Sequence, residues 1–519
     1  MRRVVLRLLG AAALVVATIP AHANWTASGQ MLYQHREWDA TGFTGTLTNL
    51  PVRFADVEVV DPTKAGGKGH LAWGRTDANG NFSVAVVDSS TRSKVRVRIL
   101  SQTTQTSDLF VKVTNQSGSV YAGNSSDYSS HGPSTNVNWG TMVAQAFGSA
   151  EAFNILDLCV YGADFVKAQS GSRPSSSKLV TFKWAFVGGV TVSTTSGNTV
   201  TLRDTAGYDD TVILHEWSHY VMNNYSKSSN PGGTHYLSDC NEDPRLAFDE
   251  ARASFFGCSV RRLNGWANSN VYVRTDGGSG PGHALNGYNL ETPEQYACQG
   301  DTSEVSNSRS MWDIGDGTAT NDGTAGIDDT PPDALSLPDT ETWQVFTGPI
   351  KNATYVTGES FWDGWFDPTV ANGNSAAMKD IWSSSTIEFF QDAFEPNNTT
   401  VSATLLNAND PAVHATYFYD ANGDGKGEVD TDIFKFNAVG GQSYTAQTLN
   451  LLSANDTNLE ILDTNGTTVL AWNDDRSAGD KSSSVSWTAP RSGAFYVRSK
   501  RASGGFTIYG SYDLKLSTP

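Results

Sequence analysis

Two histidines four residues apart, with a glutamate directly after the first, stand in the apolar run Thr211-Val212-Ile213-Leu214-His215-Glu216-Trp217-Ser218-His219-Tyr220-Val221-Met222. A helix puts His215 and His219 on one face, where both imidazoles can reach a single ion. Ile213, Trp217 and Tyr220 recur at helical spacing and give that helix a face to bury, and Asp209 or Asp210 offers its N-cap. Two imidazoles and one carboxylate make an open zinc site whose fourth position holds water. Glu216 would stand beside that water as a general base. The pattern therefore demands more than a helix. A second element must carry a third ligand to the first.

The residues after His219 are Tyr220-Val221-Met222-Asn223-Asn224-Tyr225, without the glycine and third histidine of a metzincin continuation. Glu250 is the better candidate. Asp243 is a good N-cap and Pro244 suits a first helical turn, so a helix is predicted to begin there. On it Leu246, Glu250, Ala253 and Gly257 share a face, and a carboxylate on an apolar, small-residue face is costly unless paired or bound to metal. Glu242 competes, but it lies in the polar run Cys240-Asn241-Glu242-Asp243, where surface exposure accounts for it. Together these segments resemble the gluzincins, the thermolysin-like zinc metallopeptidases. The resemblance implies that His215, His219 and Glu250 hold zinc and that Glu216 is the catalytic base. There are two departures. The gap from His219 to Glu250 is longer than in thermolysin, and Ser254 stands where the class carries an aspartate that orients a ligand histidine. Asp249 or Asp243 would have to supply that contact. The class also uses a histidine or tyrosine as oxyanion donor; His283 is the first choice here, with Tyr288, His235 and Arg309 as alternatives.

The chain opens with Arg2, Arg3 and Arg7, an apolar stretch from Leu8 to Ile19, and Ala21-His22-Ala23. These are the three parts of a secretory signal, so residues 1–23 are expected to be removed and the protein secreted. The apolar stretch is too short to span a bilayer, and no later one is longer. A net charge of −18 argues against nucleic acid and anionic membranes as partners. Cys159, Cys240, Cys258 and Cys298, an even set in an exported chain, suggest two disulfides with three possible connectivities.

The expected architecture is a multidomain α+β chain in which a zincin-like catalytic domain (140–390) is flanked by two β-sandwiches (24–130 and 392–519). In the first, alternation marks strands at 52–60, 82–87 and 94–100. Its Thr76-Asp77-Ala78-Asn79-Gly80-Asn81-Phe82 segment resembles the carboxypeptidase-regulatory, transthyretin-like domains. Residues 144–169 have helical apolar spacing, and 313–340 read as a long surface loop. The last region carries Asp392-Ala393-Phe394-Glu395-Pro396-Asn397-Asn398, Asp430-Thr431-Asp432-Ile433-Phe434-Lys435-Phe436, Thr457-Asn458-Leu459-Glu460-Ile461-Leu462-Asp463, Trp472-Asn473-Asp474-Asp475 and Ala494-Phe495-Tyr496-Val497-Arg498 in order. These blocks resemble the bacterial pre-peptidase C-terminal domain and the collagen-binding modules of clostridial collagenases. The Asp420-Ala421-Asn422-Gly423-Asp424-Gly425 stretch begins like an EF-hand loop, but Thr431 falls where the closing glutamate belongs. The collagenase resemblance implies that Glu395, Asn397 and Asn398 join Asp420, Asn422, Asp424 and Asp430 around calcium.

The expected activity is that of a secreted zinc endopeptidase acting on extracellular proteins and peptides, with an extracellular polymer such as collagen as a further partner of the C-terminal domain. One alternative is an inactive matrix- or polysaccharide-binding protein, which would have no need of Glu216. The other is an aminopeptidase, for which no GxMEN-type amine-binding segment is present.

Overall fold

The structure, a computed structural model, describes residues 24–39, 42–65, 68–105, 109–174, 178–185, 187–266, 269–271, 288–291, 299–316, 335–452, 455–502 and 506–519. They divide into two compact units. One comprises the chain up to residue 36 with 47–157 and 175–179, the other 37–46, 158–174 and 180–519.

The first unit is β-rich. Trp25–Asp39 pairs in parallel with Val137–Ala144 and antiparallel with Asn81–Val86. In a second sheet Asp56–Val60 lies between His70–Arg75 and Arg92–Leu100. Strict alternation in Asn81–Val86 sends Phe82, Val84 and Val86 inward. The turn before it is built from its own side chain: Asp77 Oδ1 accepts from the amides of Asn79 and Asn81, each at 2.8 Å. Gly80 follows at φ 74°, and a Cβ there would sit 2.3 Å from the Met31 carbonyl oxygen, so only glycine fits.

Helix α1 (Ala150–Ser170) runs on into the second unit, whose other helices are α2 (Asp210–Tyr225), α3 (Pro244–Leu263), α4 (Glu304–Trp312), α5 (Asp339–Thr347), α6 (Pro349–Asn352), α7 (Gly358–Trp365) and α8 (Ser375–Ser384). Asp209 caps α2 by accepting from the Val212 amide, and Asp243 caps α3 by accepting from the Arg245 amide with Pro244 in the first turn. Helix α3 is buried along nearly all its length. Its Gly257 brings backbone against α2, where a Cβ would lie 3.4 Å from Leu214 Cβ. From α1, Gly162 makes room for the buried Trp217 indole: a Cβ there would fall 2.2 Å from Trp217 Nε1. Gly162→Ala should therefore cost about 1–3 kcal/mol in urea unfolding, because a buried ring cannot yield that much.

The cysteines differ from expectation. Cys159 on α1 and Cys258 on α3 are buried thiols, whereas Cys240 is disulfide-bonded. The Cys258 Sγ lies 3.9 Å from the Asn270 carbonyl oxygen, a weak thiol contact. Cys298 and most of the 313–340 loop lie outside the described residues. Among those described, no helix is long and apolar enough to cross a membrane.

The second unit ends in a β-sandwich. One sheet orders Thr404–Leu405, Thr431–Ala438, Gly493–Arg501, Thr457–Leu462 and Val469–Asn473; the other orders Val413–Thr416, Ser511–Ser517, Ser443–Leu449 and Ser484–Thr488. Phe434, Phe436, Ile461 and Val497 of the first share a core with Tyr444, Ala446, Val485 and Leu514 of the second. The sandwich is docked on α7. Glu359 accepts from the Ile508 and Tyr509 amides, each at 2.7 Å, and the Tyr509 hydroxyl donates to Asp363 Oδ1 at 2.8 Å.

His414 joins the sandwich to the preceding segment, with Glu388 and Asp513 each 2.8 Å from a ring nitrogen. Glu388 first, then Asp513, raise its pKa to about 9 against burial. The bond network therefore adds full stability below an unfolded pKa of about 6.5 and loses it as pH rises through about 9. Since the ring is half exposed, screening holds the effect to about 1 kcal/mol or less. His414→Gln should accordingly lower urea-unfolding stability at pH 6 and have no effect at pH 10.

Candidate metal centre

The capped helices α2 and α3 bring three sequence-predicted residues to one point. Glu250 Oε2 lies 3.0 Å from His215 Nε2 and 3.2 Å from His219 Nε2, and the two nitrogens are 3.1 Å apart. Ligands about 2.0–2.1 Å from a tetrahedral zinc stand roughly 3.3 Å from each other, so the spacing fits that ion. The outer nitrogens support the same reading. His215 Nδ1 is 3.1 Å from Ser254 Oγ, and His219 Nδ1 is 3.4 Å from Asp249 Oδ2. A proton on each Nδ1 would leave both Nε2 lone pairs facing Glu250 Oε2, the state in which imidazoles bind a metal ion. Ser254 itself therefore fills the place where an aspartate was expected, and Asp249 serves the second histidine. Burial pushes Asp249 up, but Arg252 and His219 hold it at about 2. Burial likewise opposes ionisation of Glu250, and His219 and His215 hold it well below the usual carboxylate range.

Glu216 faces the same cleft, a cavity of ≈ 870 Å³ walled by residues 191–197 on one side and by His215, His219, Glu250 and His235 on the other. The strand Thr194–Ser196 is the outer strand of its sheet, pairing antiparallel with Thr199–Thr201. From it the Thr195 hydroxyl donates to Glu216 Oε2 and lies 3.1 Å from the Glu216 carbonyl oxygen. Nothing in the local pattern of Thr195 marks it, because the contact joins segments distant in the chain.

Of the oxyanion candidates, His235 reaches the cleft, with Nε2 3.6 Å from Glu250 Oε2. The Tyr288 hydroxyl is buried 2.7 Å from Ser308 Oγ. Arg309 Nε is buried and donates to the Leu290 carbonyl at 3.0 Å. His283 lies outside the described residues. Glu242, read as a surface residue, is only 6% exposed. It is no part of the His215–His219–Glu250 group. Burial, then Asp239 and Glu250, push its carboxyl up to about 7.

The acidic residues of the C-terminal region separate into two places. Asp392, Glu395 and Asp432 offer oxygens within 4.8 Å of one another. Asn397 Nδ2 donates to Asp432 at 2.9 Å and Asn398 Nδ2 to Asp430 at 2.8 Å. Glu395 Oε1, Asn397 Oδ1, Asn398 Oδ1 and Asp430 Oδ2 are buried without a hydrogen-bond partner among the described residues. Asp420 stands elsewhere: its carboxylate accepts from the amides of Gly423 at 2.7 Å, Asp424 at 3.1 Å and Gly425 at 2.9 Å. With Asn422 and Asp424 it closes its own turn.

The bacterial pre-peptidase C-terminal domain model matches residues 430–498. Among solved structures, the pre-peptidase C-terminal domain of a Bacillus anthracis collagenase is similar at 15% identity, over 22% of this chain and 94% of that one, with a TM-score of 0.17. PliG of Aeromonas hydrophila, a periplasmic inhibitor of g-type lysozyme, matches at 15% identity over 22% and 97% of the two chains, with a TM-score of 0.16. A 9R-lipoxygenase from Cyanothece matches at 16% identity over 29% and 25%, with a TM-score of 0.14. No curated protein matches.

Proposed function

We propose that the protein is a secreted zinc endopeptidase that hydrolyses peptide bonds of extracellular proteins. The observation that carries this reading is the convergence of two imidazole nitrogens and the Glu250 oxygen beside the Glu216 carboxylate in an open cleft. His215, His219 and Glu250 would hold the ion. Zinc bound there supplies a polarised water and a Lewis acid for the scissile carbonyl. Glu216 takes the water proton and returns it to the departing amine nitrogen. The Thr195 hydroxyl occupies one Glu216 oxygen, which leaves the other for the water. The outer strand Thr194–Ser196 offers backbone groups to an extended peptide, a geometry suited to cutting within a chain.

The pre-peptidase domain similarity supports the same reading, since such domains accompany secreted bacterial proteases, collagenase among them. In this proposal the sandwich binds calcium at Asp392, Glu395, Asp430 and Asp432, with Asn397 and Asn398 adding amide oxygens, and contacts an extracellular polymer such as collagen.

Mass-spectrometric mapping of cuts in a mixed peptide library tests the activity. Internal cuts should appear with the mature protein, vanish on 1,10-phenanthroline treatment and return with Zn2+. Cuts confined to the first residue would make it an aminopeptidase. An absence of cuts by zinc-loaded protein would leave the binding-protein reading.

A further inference from the structure

Next to the His215–His219–Glu250 point stand two further residues with ligand atoms, His235 and Glu304, that the proposed hydrolysis does not use. His235 Nε2 is 3.6 Å from Glu250 Oε2 and 4.0 Å from Glu304 Oε2, and the three residues offer atoms within 4.8 Å of one another. Around an ion with ligands at about 2.1–2.4 Å, neighbouring and opposite ligands stand roughly 3.0–4.8 Å apart. The trio spans that range.

The burial of Glu304 and Glu242 is the independent sign that a partner belongs here. Glu304 opens helix α4 at 2% exposure, and its Oε2 has no hydrogen-bond partner among the described residues. Glu242 is nearly as buried, and neither of its oxygens has one. Charges decide the kind of partner. One zinc ion offsets Glu250 and Glu216, and Asp249 is paired with Arg252. Glu242 and Glu304 then have His235, 4.0 Å from Glu304 Oε2, as the nearest group able to offset a negative charge. Buried carboxyls either hold their protons or pair with a cation, and a divalent ion would balance both in their ionised forms.

We propose that a second divalent metal ion binds beside the first, held by His235 Nε2, Glu304 and a shared Glu250 Oε2, with Glu242 as the neighbouring counter-charge. One imidazole among carboxylates suits Zn2+, Mn2+ or Co2+. The proposal rests on the zinc reading of His215, His219 and Glu250.

The test counts metal on the full mature chain, loaded with Zn2+ in millimolar Ca2+ and desalted. Inductively coupled plasma mass spectrometry should find two zinc ions per wild-type chain and one in Glu304→Gln and in His235→Gln. One per wild-type chain overturns the second site and leaves the first; His235 would then be free to serve as oxyanion donor. None overturns both. Two in wild type and two in both variants places the extra ion elsewhere and also overturns the proposal. Should the variants fail to fold, the wild type loaded with Co2+ still decides the matter. Two ions sharing a carboxylate oxygen couple magnetically in electron paramagnetic resonance, whereas uncoupled signals overturn the pair.

Discussion

Glu216→Gln is expected to lower kcat by about 10³-fold while zinc content and KM stay near wild type. Glutamine has the shape of glutamate, and its amide oxygen can still accept from Thr195, so the α2 backbone and the cleft wall keep their places. What disappears is the proton acceptor. Glu216 is buried at the cleft, and its Oε2 already accepts from Thr195. The change therefore removes one function without opening a cavity or stranding a charge. His215, His219 and Glu250 are untouched, and zinc per chain should be equal in both proteins. The measurement pairs steady-state kinetics on a peptide from the library map with metal content on the same samples. Equal rates in the two proteins would refute the role of Glu216, and a loss of zinc would mean that the substitution disturbed the ligands instead.

The parts of this site legible in the sequence are those set by local spacing. Four-residue periodicity joins His215 to His219, and Asp209 and Asp243 cap the two helices on which the ligands stand. The small and apolar residues that share a helix face with Glu250 mark it over Glu242, and Gly257 on that face is where α3 meets α2. The polar neighbours of Glu242 predict exposure, but the fold buries it. Contacts between distant segments left no local trace. Thr195 reaches Glu216 across strand and helix, and Asp249 reaches His219 only because α3 lies along α2. An even cysteine count fails for a related reason, since parity says nothing of whether Cys159 and Cys258 are brought together, and both are buried free thiols. The β-sandwich was legible from its alternating strands and ordered blocks. Its acidic residues were not sorted by pattern: Asp420 resembles a metal ligand in sequence, and only the fold shows its carboxylate accepting from the amides of its own turn, apart from the Asp392, Glu395 and Asp432 group.

That sorting makes the calcium prediction sharp. Adding millimolar Ca2+ to chelator-treated protein should raise the unfolding temperature of the C-terminal sandwich by about 10 °C, and Asp432→Asn should abolish the rise. Asp392, Glu395 and Asp432 present oxygens to one place, and one oxygen each of Glu395, Asn397, Asn398 and Asp430 is buried without a partner among the described residues. An oxygen-only set of carboxylates and amides suits a hard ion with six to eight ligands. Binding at 100 times the dissociation constant adds about 2.7 kcal/mol to the folded state. For a sandwich of this size that corresponds to a shift on the order of 10 °C. Asp432 accepts from Asn397 Nδ2 and from the Tyr512 hydroxyl, and asparagine keeps an acceptor for one of them while removing the charge. Asp424→Asn provides the contrast, because its exposed turn lies outside the cluster and the response to Ca2+ should survive. A response lost in Asp424→Asn and retained in Asp432→Asn would move the ion to the Asp420 loop. No response in wild-type protein would leave the buried oxygens to be satisfied by protons or water instead of calcium.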